Sequence, residues 1–530
     1  MGSSRARRFR IPDVKSLNDN HNDTMKTTNC ILAAAALAIL AGCGGKPEFF
    51  PAHKASGVNP DTHLVLTFES TPSVGDSGFI RIFDAETGKA IDSLDLSLPA
   101  GPTESRTYGP DCDYTKIPYD YSRSFMATNR NTLPGTPSGT AEPTPRDMQL
   151  TIIGGFTDGF HFHPVLVRGN SAVIYPHNNL LEYGRSYYVT IDDGAIVCGD
   201  FDGLEAGEWR FSTKADGPAD PRHLSVNCDG SGDFSTVQGA LDAVPDFCDD
   251  TTWISVAPGD YEEIVYARNK TNVVIRGAGP DKTHVHYANN EVFNPHPTNV
   301  KTNEWPGTFP SRRAAFALDN CSDIILTDIS IATDLKGQAE GLLLNGERIA
   351  LYNVRITGSG DALQANGTIY MENSEVIGDG DTILGRGSLF AWRCRFYNHG
   401  GPFSWVRNVS PAHGDIFVEC HFEGLPDAPA DFGRTHTNGR TSYPDAEFVV
   451  IDCTTRHFNP LGWSDIGCKS AKMLEYNTRD ADSGEPADVS GRHPWSRRLD
   501  PVKDAELIAS YRDPAFVLNG WTPERQLERQ

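Results

Sequence analysis

Short apolar segments recur along the second half of the chain, and this repeat constrains the fold more than any other feature. The segments read IILTDISI, IALYNVRI, IYMENSEV, LFAWRCRF, IFVECHF and FVVIDCTT. Aligning Asp328, Asn353, Asn373 and Arg393 gives steps of 25, 20 and 20 residues. One strand in each step of this size is typical of a solenoid, in which every coil buries its apolar face against the next. Since the segments are β-rich and lack the spacing of leucine-rich repeats, the sequence predicts an all-β protein with a β-helix.

The first half of the chain has a different pattern. Alternating strands such as HLVLTFES, GFIRIFDA and SAVIYPH, separated by turns rich in Gly, Pro and Asp, predict a β-sandwich over residues 61–215. Its end, YGRSYYVTIDDGAI followed by WRFSTK, resembles the Ig-like domains of bacterial surface proteins. The segment KADGPADPR indicates a linker at 216–225, so the β-helix and a C-terminal extension are expected over 226–530.

The N-terminal segment predicts export. Residues 25–43 have a short charged start and an apolar run too short to span a bilayer, and they end in Leu-Ala-Gly-Cys. This ending resembles the lipobox of bacterial lipoproteins, so we expect a signal peptide over 25–43, a lipid on Cys43 and a tether over 44–60. An ordinary signal peptide that ends in Cys is the alternative. Residues 1–24 are interpreted as an over-called start or a cloning artefact, and the expected location is the outer membrane, reached through the lipid alone.

Charge and cysteine content narrow the class of protein further. The net charge of -23 argues against nucleic acid as a partner, because phosphate backbones favour basic surfaces. Nine of the eleven cysteines remain once Cys30 and Cys43 are set aside, and their spacing matches no zinc site. Two disulfides are conceivable in an oxidising envelope, and several cysteines are expected to be apolar core residues. The two pairs are Cys228 with Cys248 and Cys112 with Cys198.

Two glycine-flanked aspartates stand out in GSGDALQANGTIYMENSEVIGDGDTILG, residues 358–385. Asp361 and Asp381 are twenty residues apart, which equals the local repeat. One coil later means one strand higher, about 4.8 Å along the stack, so the two carboxyl groups are expected to meet. Two acids that close cannot both ionise freely, which is typical of a general acid beside a nucleophile or base. The alternative is that Asp and Gly only form solenoid turns, and Asp379 is assigned to that role.

Residues 226–470 resemble the pectin methylesterase family, carbohydrate esterases that fold as right-handed parallel β-helices. The motifs that carry the resemblance keep their order. They are DGSGDFSTVQGALDAVP at 229–245, APGDYEEIV at 257–265, Gln338-Ala339, GDAL at 360–363, GDTILG at 380–385, FGR at 432–434 and PLGW at 460–463. The resemblance implies hydrolysis of the methyl esters of galacturonate in pectin (homogalacturonan), with release of methanol. It implies no cofactor and no metal, and we expect the chain to act as a monomer.

The resemblance also implies roles for four residues. Asp381 would be the nucleophile, and Asp361 would protonate methanol and then take a proton from water. Gln338 would donate its amide N–H to the oxyanion, and Arg434 would pair with Asp381. Gln338 as an ordinary polar stacking residue and Arg434 as a solvated charge are the alternatives, and Arg440 is a rival for the arginine role.

Two departures from the family pattern bear on this reading. Gly360 stands where the family has a second Gln, which removes one oxyanion donor, and Gln364 is four residues further on. His436 stands where the family has a Trp after the arginine. We therefore expect substrate contacts from Gln364, His436, Trp405 and Trp463, the two tryptophans as surfaces that stack on a sugar ring.

Two other functions compete with an esterase. A glycoside hydrolase or lyase also uses paired carboxylates, and lyases on this scaffold could hold calcium. The sequence lacks extra acidic ligands at coil spacing and keeps the Gln and Arg that an esterase needs. A non-catalytic, glycan-binding surface lipoprotein is the third possibility, supported by the missing Gln and the Ig-like pattern.

Overall fold

A computed structural model describes residues 46–102, 148–154, 160–294, 312–435 and 443–523. The predicted segment 1–24, the signal peptide at 25–43 with Cys43, and the residues His436 and Arg440 lie outside the described residues. No helix in the described part of the chain is long and apolar enough to cross a membrane.

The first unit consists of two main β-sheets around a common apolar core. One sheet has the order β1-β3-β8-β7, the other has the order β2-β11-β9-β5-β6, and β4 pairs with β10. Alternating side chains from both sheets, such as Leu66, Ile82 and Val189, form the core. The strands are β1 Glu48–Phe50, β2 Ala55–Val58, β3 Leu64–Thr67, β4 Ser73–Val74, β5 Phe79–Asp84, β6 Ala90–Asp95, β7 Val165–Arg168, β8 Ser171–Ile174, β9 Ser186–Ile191, β10 Ile196–Val197 and β11 Leu204–Thr213.

The prediction of a tether over 44–60 is wrong for most of its length. Strand β1 pairs with β3, and β2 pairs with β11, so residues from Glu48 onward belong to the two sheets. The physical reason is apolar: Phe49 stacks on the buried Trp209, with ring centroids 5.0 Å apart. The assignment of this unit as Ig-like stays a prediction.

The second unit is a parallel β-helix, as predicted. In its described residues, 22 strands form one continuous sheet in which each strand pairs in parallel with the equivalent strand of the next coil. It begins at His223, inside the segment predicted as a linker. The strands are β12 His223–Val226, β13 Thr252–Val256, β14 Gly259–Glu262, β15 Val265–Arg268, β16 Thr271–Arg276, β17 Thr283–Tyr287, β18 Phe316–Thr333, β19 Leu342–Thr357, β20 Leu363–Glu372, β21 Glu375–Gly378, β22 Ile383–Gly385, β23 Ser388–Trp392, β24 Arg395–Asn398, β25 Gly401–Val406, β26 Gly414–Val418, β27 His421–Glu423, β28 Ala430–Arg434, β29 Glu447–Ile451, β30 Thr454–Arg456, β31 Lys472–Tyr476, β32 Arg479–Asp480 and β33 Arg497–Arg498.

A column of left-handed residues marks one turn of successive coils, and we call it the turn ladder. The four residues that define the sequence repeat all have positive φ, which confirms their alignment. Asn and Asp reach this region more easily than other non-glycine residues. The ladder comprises Asp328 (57°), Asn353 (53°), Asn373 (50°), Arg393 (55°), Glu419 (54°), Asp452 (56°) and Asn477 (53°).

The cysteines are partly as expected. Cys321, Cys394, Cys420 and Cys453 are buried free thiols in the β-helix core, which confirms their apolar role. Both proposed disulfides are wrong, because Cys198 and Cys248 are free. Cys228 is disulfide-bonded.

Three short helices complete the described part of the fold. They are α1 Val237–Ala243, α2 Ala505–Arg512 and α3 Pro514–Val517. Helix α1 joins the two units, because the carboxylate of Asp61 accepts hydrogen bonds from the backbone of Ser235 and Thr236 near its N-terminus. Helices α2 and α3 cover a second apolar cluster on the outer face of the β-helix, through Tyr511 and Val517.

Candidate active site

Asp361 and Asp381 occupy equivalent positions on neighbouring coils. Strands β20 and β22 are paired so that Leu363 lies beside Ile383, and each aspartate precedes its strand by two residues. The backbone N–H of Asp361 donates to the carbonyl of Asp381 at 3.1 Å. Both residues have positive φ, 70° and 30°. The prediction that the two acids stand one strand apart on neighbouring coils is confirmed.

Arg434 forms a two-point ion pair with Asp381. Its Nε lies 2.8 Å from Oδ1 and its Nη2 lies 2.5 Å from Oδ2. The predicted pairing is therefore confirmed for Arg434. Such fork-to-fork contacts fix both the direction and the ionised form of a carboxylate. The guanidinium also stacks on Trp405, with its carbon 4.1 Å from the ring centroid.

Asp361 has a different environment from its neighbour. It is buried, with 6% of its surface exposed, and its Oδ2 accepts from Nη2 of Arg313 at 3.0 Å. Burial raises the pKa of Asp361, the charge of Asp381 adds to this rise, and the cations of Arg313 and Arg407 oppose it, leaving a raised pKa. One carboxyl is thus held by a dedicated arginine and the other favours its proton, which is the division that an acid and a nucleophile require.

The side chain of Gln338 lies beside this pair. Its Oε1 accepts from Nη1 of Arg313 at 2.9 Å, and its backbone carbonyl accepts from Glu291. Because a guanidinium only donates, this contact assigns the oxygen of the amide and turns the Nε2 group away from Arg313. Gln338 therefore keeps an N–H available for an oxyanion.

Gly360 is adapted to its position through the backbone. It has a φ of +54°, and an added Cβ would lie 2.9 Å from the carbonyl oxygen of Gly337. A side chain in this conformation is strained. The loss of the second family Gln is therefore built into the local backbone of this chain.

The two tryptophans predicted to stack on a sugar ring lie in different environments. Trp405 is half-buried, between the guanidinium groups of Arg434 and Arg407, at the edge of the site. Trp463 is fully buried and packs on Phe432, with centroids 5.0 Å apart, so its assignment to sugar stacking is wrong. Trp463 is in the core because burying its large apolar ring stabilises the fold.

Gln364 lies in the same column of the sheet as Trp405 and Arg434, since Gln364 pairs with Leu384 and Leu384 with Trp405. Only 3% of Gln364 is exposed, so it lines the site without presenting its amide to solvent. Its predicted contact with substrate is not supported by this burial.

Sequence reasoning missed Arg313 and Glu340. Glu340 is fully buried and lies on the same guanidinium as Asp361, with 2.7 Å between Nε of Arg313 and Oε1. A signal was present in QAEGLLL, where one acid interrupts an otherwise apolar strand. A buried acid needs a cation, and Arg313 stands one coil step before it.

One group outside the site has the residue types of a metal site. Glu262, His286 and Asp334 converge within reach of a single ion. Burial alone would lower the pKa of His286, but hydrogen bonds to Asp260 and Asp334 raise it to about 10. Both ring nitrogens of His286 bond to carboxylates, Nε2 to Asp260 at 3.0 Å and Nδ1 to Asp334 at 2.7 Å, so the group is arranged as an ion-paired cluster.

Comparison with known proteins identifies the family. The pectinesterase family model matches residues 223–507, more than half of the chain. The chain belongs to the pectinesterase family. Pectinesterase QRT1 of Arabidopsis thaliana is 28% identical over 308 residues, covering 53% of this chain and 75% of that protein. Probable pectinesterase 55 of the same plant is 25% identical over 323 residues, covering 58% and 92%.

Solved structures of the same kind also align. Pectin methylesterase from carrot covers 57% of this chain and 95% of its own, with 19% identity and a TM-score of 0.45. Pectin methylesterase PemA from Erwinia chrysanthemi covers 57% and 98%, with 15% identity and a TM-score of 0.45.

Membership of the pectinesterase family makes this chain a carboxylic ester hydrolase. The family match confirms the predicted activity, hydrolysis of pectin methyl esters. It is favoured over the glycosidase, lyase and binding-protein alternatives, which the family match does not support.

Proposed function

We propose that this pectinesterase uses Asp381 as nucleophile and Asp361 as general acid and base. The carboxylate of Asp381, aimed by Arg434, attacks the ester carbonyl carbon of a methylated galacturonate. The carbonyl electron pair moves onto oxygen, and an N–H of Gln338 stabilises this oxyanion. The observation that carries the assignment is the contrast between the two aspartates: one faces a dedicated arginine, and the other is buried with a raised pKa.

The second half of the reaction uses the proton of Asp361. As the bond to the methoxy oxygen breaks, Asp361 protonates that oxygen and methanol leaves, with the acyl group on Asp381. Asp361, now a carboxylate, takes a proton from an incoming water, whose oxygen attacks the acyl carbon and releases Asp381. Ester and water thus become acid and methanol, and both aspartates return to their starting forms.

Gly360 is expected to limit the rate. One missing oxyanion donor costs about 3 to 4 kcal/mol of transition-state stabilisation where it has been measured. Gln338 is the only oxyanion donor proposed for this chain, so we expect turnover slower than in a pectinesterase that has both glutamines.

We further propose that Trp405 contacts the sugar chain. Its ring lies at the edge of the site, on the guanidinium that holds Asp381. Pectin is therefore the proposed partner, and the site, built from one chain, suits a monomer.

A methanol-release assay on highly methylated pectin tests the function. We expect methanol without new reducing or unsaturated ends. New chain ends without methanol would indicate a glycosidase or lyase, and binding without either product would indicate a glycan-binding protein.

We also propose that the chain is a lipoprotein of the outer membrane, with the lipid on Cys43. The lipobox-like ending of residues 25–43 supports this. Cys43→Ser should release the protein from the membrane fraction, since only a thiol there can accept the lipid. Equal membrane retention of wild type and variant would contradict the proposal.

A further inference from the structure

The guanidinium of Arg313 joins two groups of the proposed mechanism. Its Nη1 donates to Oε1 of Gln338 at 2.9 Å, and its Nη2 donates to Oδ2 of Asp361 at 3.0 Å. The side chain is buried, with 9% exposed. Because a guanidinium is planar and rigid, the distance between the oxyanion donor and the acid is set by one group.

A second buried carboxyl occupies the remaining edge of this guanidinium. Oε1 of Glu340 lies 2.7 Å from Nε and 2.6 Å from Nη2 of Arg313, and Glu340 has no exposed surface. Its Oε2 is buried without a hydrogen-bond partner in the described part of the chain. One cation therefore bonds directly to two buried acids, with a third, Glu291, 3.5 Å from Nη1, and it cannot compensate all of them when they are ionised.

Competition for Arg313 links the protonation of the two acids. Burial raises the pKa of Glu340 to about 7, and the charge of Asp361 adds to the rise against the opposing cation of Arg313. When Glu340 is ionised it takes the guanidinium, and Asp361 keeps its proton more readily. The charged groups that face these two acids are Arg313, Glu291, Asp381, Arg407 and Arg434.

We propose that Arg313 is a positioning residue that aligns the Gln338 amide and, shared with Glu340, sets how readily Asp361 holds its proton. This inference rests on the roles proposed above for Gln338 and Asp361.

The proposal predicts opposite shifts in two variants. Glu340→Gln leaves Arg313 to Asp361 alone, so the carboxylate is favoured and the basic limb of the pH–rate profile moves down by about one pH unit. Arg313→Met removes the cation and moves that limb up by about one unit. It also frees the Gln338 amide, so kcat falls about 10-fold or more, while KM changes less than about twofold because Arg313 is buried and bonds to Gln338, Glu340 and Asp361.

Arg313→Lys separates the two roles. A lysine keeps the positive charge near Asp361 but is a single-point donor that cannot hold Gln338, Glu340 and Asp361 in one plane. The basic limb should therefore stay near its wild-type position, while kcat falls as in Arg313→Met.

The experiment measures methanol release from methylated pectin by wild type and the three variants across pH, with thermal unfolding as the check on folding. If Arg313→Met does not fold, the double variant Arg313→Met/Glu340→Gln, which removes both charges, takes its place. The basic limb of its pH–rate profile should lie at higher pH than that of Glu340→Gln. The proposal is overturned if the basic limbs of Arg313→Met and Glu340→Gln stay at the wild-type pH or move in the same direction. A wild-type kcat in Arg313→Lys overturns the alignment of Gln338.

An infrared titration separates this inference from the proposed function. The carboxyl band that disappears in Asp361→Asn reports the protonation of Asp361 without any turnover. If wild type releases no methanol, the proposed function fails. Opposite shifts of the pH midpoint at which this band titrates, in Arg313→Met and Glu340→Gln, would still support the shared guanidinium. An unchanged midpoint in both variants overturns the inference.

Discussion

The turn ladder and the active-site turn use the same backbone conformation for different purposes. Both place Asp or Asn in the left-handed region at coil spacing, with φ of 53° at Asn353 and 70° at Asp361. In the ladder the side chains are exposed or half-buried and bond to each other, as in the 2.7 Å contact from Asn353 to Asp328. In the site they are turned toward arginines that come from other coils.

The difference shows that surroundings, rather than residue type or backbone, decide what an aspartate can do. A ladder residue contributes one turn and bonds to its neighbour on the adjacent coil, as Asn353 does to Asp328. Asp361 is desolvated beside a second carboxylate, and both effects raise its pKa. The comparison can be tested by removing side chains from each region and measuring activity and stability separately.

The largest effect is expected for Asp381→Asn. An amide is a poor nucleophile, and its nitrogen faces Arg434, which only donates hydrogen bonds. Methanol release should fall by about four orders of magnitude or more. Circular dichroism and thermal unfolding check that the β-helix is intact, and substantial turnover in this variant would exclude Asp381 as nucleophile.

Asp361→Asn should lower methanol release by about two to four orders of magnitude, the range of general acid–base catalysis. Because Asp361 must be protonated and its pKa is raised, wild-type activity should fall as pH rises through that pKa, and the residual activity of the variant should lack this limb. An activated aryl ester needs little protonation of its leaving group. It should restore acylation in Asp361→Asn far more than in Asp381→Asn, and equal rescue would contradict the two roles.

The repeat and the pairing of the two acids could be predicted from sequence because both follow from coil spacing. Twenty residues separate Asp361 from Asp381, and the local coil has the same length, so no tertiary information was needed. The ion pair of Arg434 required the family motif as well, since 53 residues and loops of unequal length lie between the partners.

The surroundings of the site could not be predicted in the same way. Arg313 is 48 residues before Asp361, and their contact depends on two coils of different length. Trp463 was misassigned because a motif shows that a tryptophan is present but not whether it faces the core. The sheets of the first unit capture residues 48–58 through pairings that no local pattern reveals.

In the turn ladder we expect stability to change and activity to stay. Asn353→Ala places a residue that disfavours the left-handed region at a φ of 53°, and it removes the hydrogen bond to Asp328. The free energy of unfolding should therefore drop by about 1 to 2 kcal/mol. Asn353→Gly is the matched control, because it keeps the left-handed conformation without strain. It should be the more stable of the two by chemical denaturation, with wild-type methanol release in both. A large loss of kcat in either variant would mean that the ladder and the site are not independent.

The smallest effect is expected two residues from the nucleophile, at Asp379. This carboxylate bonds to Nζ of Lys336 at 2.8 Å, to Oγ of Ser359 at 2.8 Å and to Nδ1 of His399 at 2.6 Å. These partners, with the bond from His399 foremost, hold the pKa of Asp379 well below its usual range. Its stabilising effect is therefore present above the unfolded pKa near 3.8 and is lost only as pH falls through the folded value.

Asp379→Asn should therefore leave methanol release within about twofold of wild type. It should lower unfolding free energy at neutral pH by no more than about 1 kcal/mol, because Lys336 and His399 are largely solvated and such pairs are weak. The variant is the matched control for Asp381→Asn, since both replace one carboxylate in GDGD with the same amide. The two differ only in which partners the side chain meets. If Asp379→Asn abolished turnover while Asp381→Asn kept it, the catalytic register would be wrong by one pleat, and the turn that we assign to structure would be the site.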